Sequence, residues 1–250
     1  MGTDDTAKVF CPRPYADKTD NARATECLVA AYKDDAMFQH LLNGYAYERA
    51  LRRLFSWTLW AMASNAQTQK GTEMEVMIDP TTNQVLCFAV WGLTAPAAWT
   101  VSGQLRLALV VLVMAVLEGP FLLTRLLEIA YILESKRKAH APKHIILKYL
   151  STSPESQNKG LGAQLLQAGI DRAAKAGVSC YLESSNPRNV PFFQRNGFRV
   201  LKAWYPLAQP RFRIQGPLIT LMVRDIDDGD EKVVPATAGS QRATVKTKNE

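Results

Sequence analysis

The chain has 250 residues, near the upper end of what one hydrophobic core organises, so it reads as one domain with extensions. Apolar residues make up 47% and charged residues 21%, which excludes a wholly disordered, collagenous or polytopic membrane chain. Lys and Arg outnumber Asp and Glu by 30 to 23, and the formal +7 suits nucleic acid, an anionic membrane or a phosphate-bearing small molecule.

In chain order, residues 8–11 read as a short strand that Pro12 and Pro14 break, and Thr19 or Asp20 then offers an N-cap to a helix running through Ala31. A second helix is expected over 45–64, where Leu51, Leu54, Phe55, Thr58 and Met62 recur at helical spacing as one core-facing side. Residues 72–78 and 84–91 are rich in β-formers, and Asp79-Pro80-Thr81-Thr82-Asn83 between them has the turn chemistry of a hairpin. The segment 105–133 contains an unbroken apolar run from Leu107 to Leu117, about half of what a spanning helix requires. Glu118, Gly119 and Pro120 interrupt it, and Arg125 and Glu128 follow, so it reads as a buried helix, or as two helices broken near Gly119-Pro120, with no transmembrane span.

The stretch 143–200 carries the chemistry. A strand-like run over 145–151 leads through Ser153-Pro154 to Gln157-Asn158-Lys159-Gly160-Leu161-Gly162, which opens a helix. Leu161, Leu165, Leu166, Ile170 and Ala173 form that helix's buried face, and Gly177 is placed to end it. Two glycines let backbone approach a ligand, the unpaired N–H groups of a first helical turn favour an anion, and Lys159 adds a mobile positive charge. On its own the glycine pattern is equally ordinary turn punctuation. A second strand over 178–183 follows, then Ser184-Ser185-Asn186-Pro187-Arg188-Asn189, then Phe192 and Phe193, ending in Asn196-Gly197-Phe198.

With these two motifs the chain resembles the GNAT acetyltransferase superfamily, and within it the branch similar to puromycin N-acetyltransferase. The acetyl-CoA motif is matched by Gln157, Gly160 and Gly162, and the second motif by Asn186 with Gly197-Phe198. Looser similarity extends over most of residues 8–224. The resemblance implies an α+β fold, an α/β/α sandwich around a mixed, mostly antiparallel sheet of about seven strands. That sheet would be splayed between its fourth and fifth strands, with a helical insertion at about 98–141. Acetyl-CoA would be the co-substrate, its pantetheine in the gap, its acetyl carbonyl on a backbone N–H near Leu150, Ser151 or Thr152, and its pyrophosphate on the amides of Asn158, Lys159, Gly160, Leu161 and Gly162. Gln157, Asn186, Asn189 and Phe193 complete the implied cofactor-binding set. The implied reaction is direct attack of a small-molecule amine on the thioester. Glu183 is the first candidate base and Glu75 the second, either of which could equally be a solvated or Arg-paired carboxylate. The family often places a tyrosine acid where this chain has Phe193, so the proton for the leaving sulfur would come from Tyr149, Tyr181 or Ser184, or not at all.

Two other functions fit the sequence: a CoA-binding module of this fold with weak or no catalysis, and acetylation of a protein or peptide amine. Nucleic-acid binding has little support, because Lys and Arg are dispersed and no helix-turn-helix or RNP-like pattern occurs. Cys11, Cys27, Cys87 and Cys180 are far apart, and no signal-type segment precedes them, which predicts a reducing cytoplasm. Only His40, His140 and His144 offer imidazole, without zinc-type spacing, so no metal is expected. A monomer or homodimer is expected. Residues 225–250 read as a disordered tail whose six acidic and four basic residues net −2, leaving +9 on 1–224.

Overall fold

The computed structural model describes residues 10–42, 46–66, 71–92, 101–140, 144–205 and 216–226. Its centre is a seven-stranded sheet of order β1-β2-β3-β4-β5-β7-β6. The strands are β1 (Arg13–Pro14), β2 (Thr72–Ile78), β3 (Val85–Gly92), β4 (His144–Thr152), β5 (Ser179–Ser184), β6 (Arg199–Trp204) and β7 (Ile219–Arg224). Every neighbouring pair is antiparallel except β4 and β5. This is the α+β fold expected, with the one parallel pair at its middle.

The first strand is not where the sequence put it. Residues 8 and 9 lie outside the described set, Phe10–Pro12 are not strand, and the two-residue β1 pairs Arg13 with Val76 and Pro14 with Glu75. Proline is tolerated there because β1 is an edge strand. Helix α1 (Asp17–Tyr32) also starts earlier than expected, with Ala16 at the N-cap. Asp20 is not the cap but acts inside the first turn. Its carboxylate accepts from Ala16 N at 2.8 Å and forks with the Arg13 guanidinium at 2.7 Å on both arms. Burial would raise this carboxyl, but the Arg13 fork and the Ala16 amide hold it below the usual range.

A helix that hydrophobic spacing does not reveal, α2 (Ala36–Leu41), follows, capped by Asp35 through bonds from Met37 N at 2.9 Å and Phe38 N at 3.4 Å. Helix α3 (Tyr47–Ala66) buries Leu51, Phe55, Thr58 and Met62 of the predicted face, while Leu54 stays half-buried at its margin. The β2–β3 hairpin is present as expected. Asp79 Oδ1 accepts from Thr81 N at 2.8 Å, and Asn83 takes the left-handed conformation at φ 58° to close the turn.

Two helices fill the predicted insertion: α4 (Val101–Glu118) and α5 (Pro120–His140), parted at Gly119 with φ +95°. The break is where Gly119-Pro120 placed it, because Pro at a first helical position costs no hydrogen bond. The expectation of burial is corrected. Only 17% of α4 is buried, and it is one helix long and apolar enough to cross a membrane by length and composition. Helix α3 packs on one side of α4, and the other side of this outer pair is exposed.

On the opposite face of the sheet lie α6 (Leu161–Lys175) and α7 (Val190–Arg195). Strand alternation divides the core. Phe88 and Val90 point to the α1, α3 and α4 side, whereas Cys87, Ala89 and Trp91 point to α6. Gly169 of α6 lies against the buried Trp91 ring, where a methyl group would overlap it. Helix α6 ends as the sequence predicted: Gly177 sits at φ +64°, and Val178 N donates to Ala173 O at 3.0 Å.

Candidate active site

Strands β4 and β5 pair only from His144–Ser179 to Leu147–Leu182. Beyond that point β4 continues on β3 as far as Thr152–Cys87, while β5 continues on β7 to Ser184–Thr220. The inner edges of Lys148–Thr152 and Glu183–Ser184 therefore face an opening instead of each other. An extended ligand with amide groups fits such an edge, because buried backbone N–H and C=O require partners.

At the far end of β4 the chain turns through a 3₁₀ helix, Pro154–Ser156, into the glycine loop. Asn158 (φ 61°) and Gly160 (φ 79°) are both left-handed, and Gly160 is the N-cap of α6. The first helical bond runs from Gln164 N to Gly160 O at 3.0 Å, so the N–H groups of Leu161, Gly162 and Ala163 have no acceptor within the helix. Gly160 has no side chain to cap them. A Cβ on Gly162 would lie 3.1 Å from Thr152 Oγ1, so the end of β4 and the first turn of α6 abut. Gln157 Nε2 reaches back to Thr152 O at 3.4 Å, and Lys159 is exposed beside the loop. Coenzyme A fits these residues: the donors of the α6 first turn suit its pyrophosphate and the inner edge of β4 suits its pantetheine amides.

A cavity of about 570 Å³ meets the strand opening on the α4–α5 side. Tyr149, Leu150, Glu183, Ser184, Asn189 and Phe193 line it, so six of the predicted residues come together. Ser151, Thr152, Gln157 and the 158–162 loop follow the β4–α6 path instead, and Asn186 lies in the turn after β5. Ser151 and Thr152 turn their hydroxyls to buried thiols, Ser151 Oγ to Cys27 Sγ at 3.4 Å and Thr152 Oγ1 to Cys87 Sγ at 3.3 Å. Burial pushes these thiols up to about 12 and about 11, which leaves neither poised as a nucleophile. Asn186 uses its side chain to cap the turn after β5, Oδ1 accepting from Arg188 N at 3.0 Å.

The two acidic candidates separate. Glu75 points to the α6 side, where Arg172 grips both of its oxygens at 2.8 and 2.7 Å, and it does not line the cavity. Glu183 lies in the cavity wall at the first position after β4 and β5 part, with Oε1 buried and without a hydrogen-bond partner among the described residues. Burial raises its carboxyl above the ordinary value, against the opposing pull of the Tyr181 hydroxyl and Arg137. Among the three candidate acids, Tyr149 is half-buried and edge-on to Phe55 with ring centroids 5.8 Å apart, and desolvation raises its phenol to about 12. Ser184 Oγ donates to Asn186 O at 3.0 Å, and the Tyr181 hydroxyl is buried. Phe193 packs with Phe192 and Phe198, so the usual acid position is apolar throughout.

Sequence reasoning missed three residues here. Lys148 follows Leu147 into the opening, lines the cavity with Arg137, and is held down to about 8 by burial and by that guanidinium. A lone lysine in the apolar run Ile145-Ile146-Leu147-Lys148-Tyr149-Leu150 was the available signal. Tyr32 places its hydroxyl on Leu150 O at 3.3 Å, tying α1 to the edge of β4. Asp35, the α2 cap, also accepts from Ser185 Oγ at 2.5 Å and joins α2 to the end of β5. Neither contact leaves a trace in local sequence. Among the described residues no group of three or more His, Cys, Asp or Glu could hold a metal ion.

The acetyltransferase (GNAT) family model matches residues 125–198, which span most of α5, then β4, the glycine loop, α6, β5 and α7. The fold is that of GNAT acetyltransferases. A histone acetyltransferase HPA2-related acetyltransferase from Corynebacterium glutamicum matches at a TM-score of 0.55 and 20% identity, over 91% of this chain and 99% of that one. Arylalkylamine N-acetyltransferase 2 from Aedes aegypti matches at 0.57 and 12% identity, over 87% and 99%. The PaiA N-acetyltransferase of Thermoplasma acidophilum, solved in complex with coenzyme A, matches at 0.52 and 13% identity, over 87% and 99%.

Proposed function

We propose that the protein is an acetyl-CoA-dependent N-acetyltransferase acting on the amine of a small, largely apolar molecule. The observation that carries this reading is the coincidence of three features at one place: the parting of β4 and β5 after Leu147–Leu182, the half-buried Glu183 with its Oε1 shielded at that parting, and an apolar cavity opening onto it. Acetyl-CoA supplies an activated acyl carbon. The α6 first turn and Lys159 hold its phosphates, and the edge of β4 at Leu150, Ser151 and Thr152 orients the pantetheine and the acetyl oxygen. Asn189 and Phe193 stand by the thiol end.

Glu183 takes the proton from the attacking ammonium, directly or through water, because an alkylammonium has no lone pair. Its raised pKa brings its basicity nearer to that of its task. Glu75, closed by Arg172, is left a structural role. Phe193 donates no proton, so the sulfur leaves as a thiolate or takes a proton from Tyr149, Tyr181 or Ser184. The inert Cys27 and Cys87 favour direct transfer over a cysteine-bound acyl intermediate.

The acceptor side is made by Met37, Phe38, Leu107, Val110, Met114 and Ile129, all on α2, α4 and α5. This lining suits an aliphatic or aromatic amine. Buried Cys27, Cys87 and Cys180 are free thiols, which suits a reducing cytoplasm. Residues 1–224 make one catalytic domain, and most of the expected tail, residues 227–250, lies outside the described set.

Release of CoA thiol, followed with a thiol reagent across a panel of apolar amines, tests the activity. Amine-dependent release with an acetylated product is expected. CoA binding without turnover on any amine would overturn it in favour of a binding module, the reading that Phe193 in the usual tyrosine position supports.

A further inference from the structure

Strict alternation along β4 would give Leu147 and Tyr149 the same face of the sheet. They do not share one: Leu147 packs on the α6 side, and Tyr149 stands edge-on to Phe55 of α3. The reason is a bulge. Trp91 of β3 pairs with Leu147 and its neighbour Val90 with Tyr149, so Lys148 is one residue more than the ladder needs. The bulge falls where β4 parts from β5, and it places Lys148 in the wall of the cavity. The lysine stem crosses Gly92, where a Cβ would lie 2.8 Å from Cε and 3.4 Å from Nζ, so β3 leaves room for it. Arg137 enters the same wall from α5, and its charge acts on Lys148, Tyr181 and Glu183. Among the described residues, Arg137, Lys148 and Glu183 are the charged side chains of a lining that is otherwise mostly apolar.

We infer that the acceptor is an apolar amine that also carries a carboxylate, held by Lys148 and Arg137 while the amine faces Glu183. The inference deepens the acetyltransferase reading and rests on it for calling the occupant an acceptor. Charge decides for an acid. Two cations in one low-dielectric wall repel, and the cost shows in Lys148, which burial and Arg137 bring down to about 8. Glu183 does not offset that cost. Its carboxyl lies above the ordinary value in spite of Arg137, so its surroundings shift it toward the neutral form. Once it has taken a proton from the amine it is neutral, which leaves the described wall two positive charges. A carboxylate on the acceptor opposes them in either state of Glu183, and a guanidinium fork suits its two oxygens. The apolar body then lies against Val110, Met114 and Ile129, and the two polar ends fix which way round the molecule enters. Both cations stand on the α4–α5 side of the sheet, apart from the α6 first turn that suits the phosphates of CoA.

The full-length protein is assayed for CoA release with matched pairs that differ in the acid group, phenylalanine against phenethylamine and leucine against isopentylamine. The acid of each pair should be preferred by about tenfold or more in kcat/KM, the scale of a charge-assisted hydrogen bond. Lys148→Met should erase the preference. Arg137→Gln, half-buried near the end of α5, should reduce it in a chain whose β4 is untouched. Binding reads the same subsite without turnover. In calorimetry with CoA present, hydrocinnamate, which has no amine, should bind the parent about tenfold more tightly than hydrocinnamyl alcohol, and Lys148→Met should bring the two affinities together. CoA affinity, measured on each variant, shows that the fold is kept. Equal kcat/KM within each pair, or equal affinity for the acid and the alcohol, overturns the inference. Hydrocinnamate binding that needs Lys148, without acetylation of any amine, would keep the carboxylate subsite and overturn the acetyltransferase reading instead.

Discussion

The two sides of the sheet are built on different principles. On the α6 side the site is made of backbone: an unpaired strand edge, left-handed residues at Asn158 and Gly160, and the bare first turn of a helix. On the α4–α5 side it is made of side chains, a cavity walled by Leu107, Val110, Met114 and Ile129. A backbone site recognises what all its ligands share, because peptide donors cannot be exchanged by mutation. A side-chain site recognises what distinguishes one acceptor from another, since each wall residue can be changed while the sheet stays intact.

The strongest test of this division lies where the two sides meet. Glu183→Gln should lower kcat/KM for the amine by about 10²–10⁴-fold while CoA affinity is unchanged. The pH profile should sharpen the result. A base works deprotonated, and Glu183 has its carboxyl raised above 4.5, so activity in the parent should rise with pH through that raised value. The variant should lack this limb. An unchanged profile would place the base elsewhere and join the two sides differently.

The next effect is on the backbone side. Gly160→Val forces a β-branched residue into φ +79°, at a cost of roughly 1–2 kcal/mol, and should weaken CoA binding by about tenfold as the loop relaxes. Gly169→Ala provides the contrast, since it collides with Trp91 well away from the loop. It should cost about 1–3 kcal/mol in urea unfolding, with CoA affinity near normal at low temperature.

On the other side, Met114→Ala enlarges the cavity at a buried wall position, and should raise the amine KM several-fold with CoA affinity unchanged. A CoA defect in this variant would show the two sites to be coupled. The smallest effect concerns Lys148. Burial and Arg137 lower its pKa from 10.5 to about 8, so between those values the unfolded chain binds more protons than the folded one and stability rises with pH. Lys148→Met should flatten the rise in urea midpoint across that window.

The same division explains what could be read from the sequence. Glycines report backbone conformation directly, so the loop at Gly160 and Gly162, the helix stop at Gly177 and the turn at Gly197-Phe198 were all legible. The β4–β5 region followed from those signals. Glu183 was reachable because it sits at the end of a recognisable strand. Glu75 looked equivalent in sequence, and only the fold shows Arg172 arriving from 97 residues away to close it. Apolar residues report only that something is buried, not against what. The run from Leu107 to Leu117 was therefore expected inside, although Leu109, Leu112, Val116 and Leu117 face outward. Asp35 and Tyr32 were invisible for the same reason, because their partners Ser185 and Leu150 lie 150 and 118 positions away.

The way β4 leaves its neighbour also sets a rhythm of exchange along one strand. From Tyr149 to Thr152 it is bonded to β3 on one side while its other edge faces the opening. Successive amides of a strand point in opposite directions. Without cofactor, alternate backbone protons of this segment should trade with deuterium far faster than their immediate neighbours. Coenzyme A would slow the quick ones and leave the slow ones as they were, so that the strand itself reports on which residues the cofactor covers.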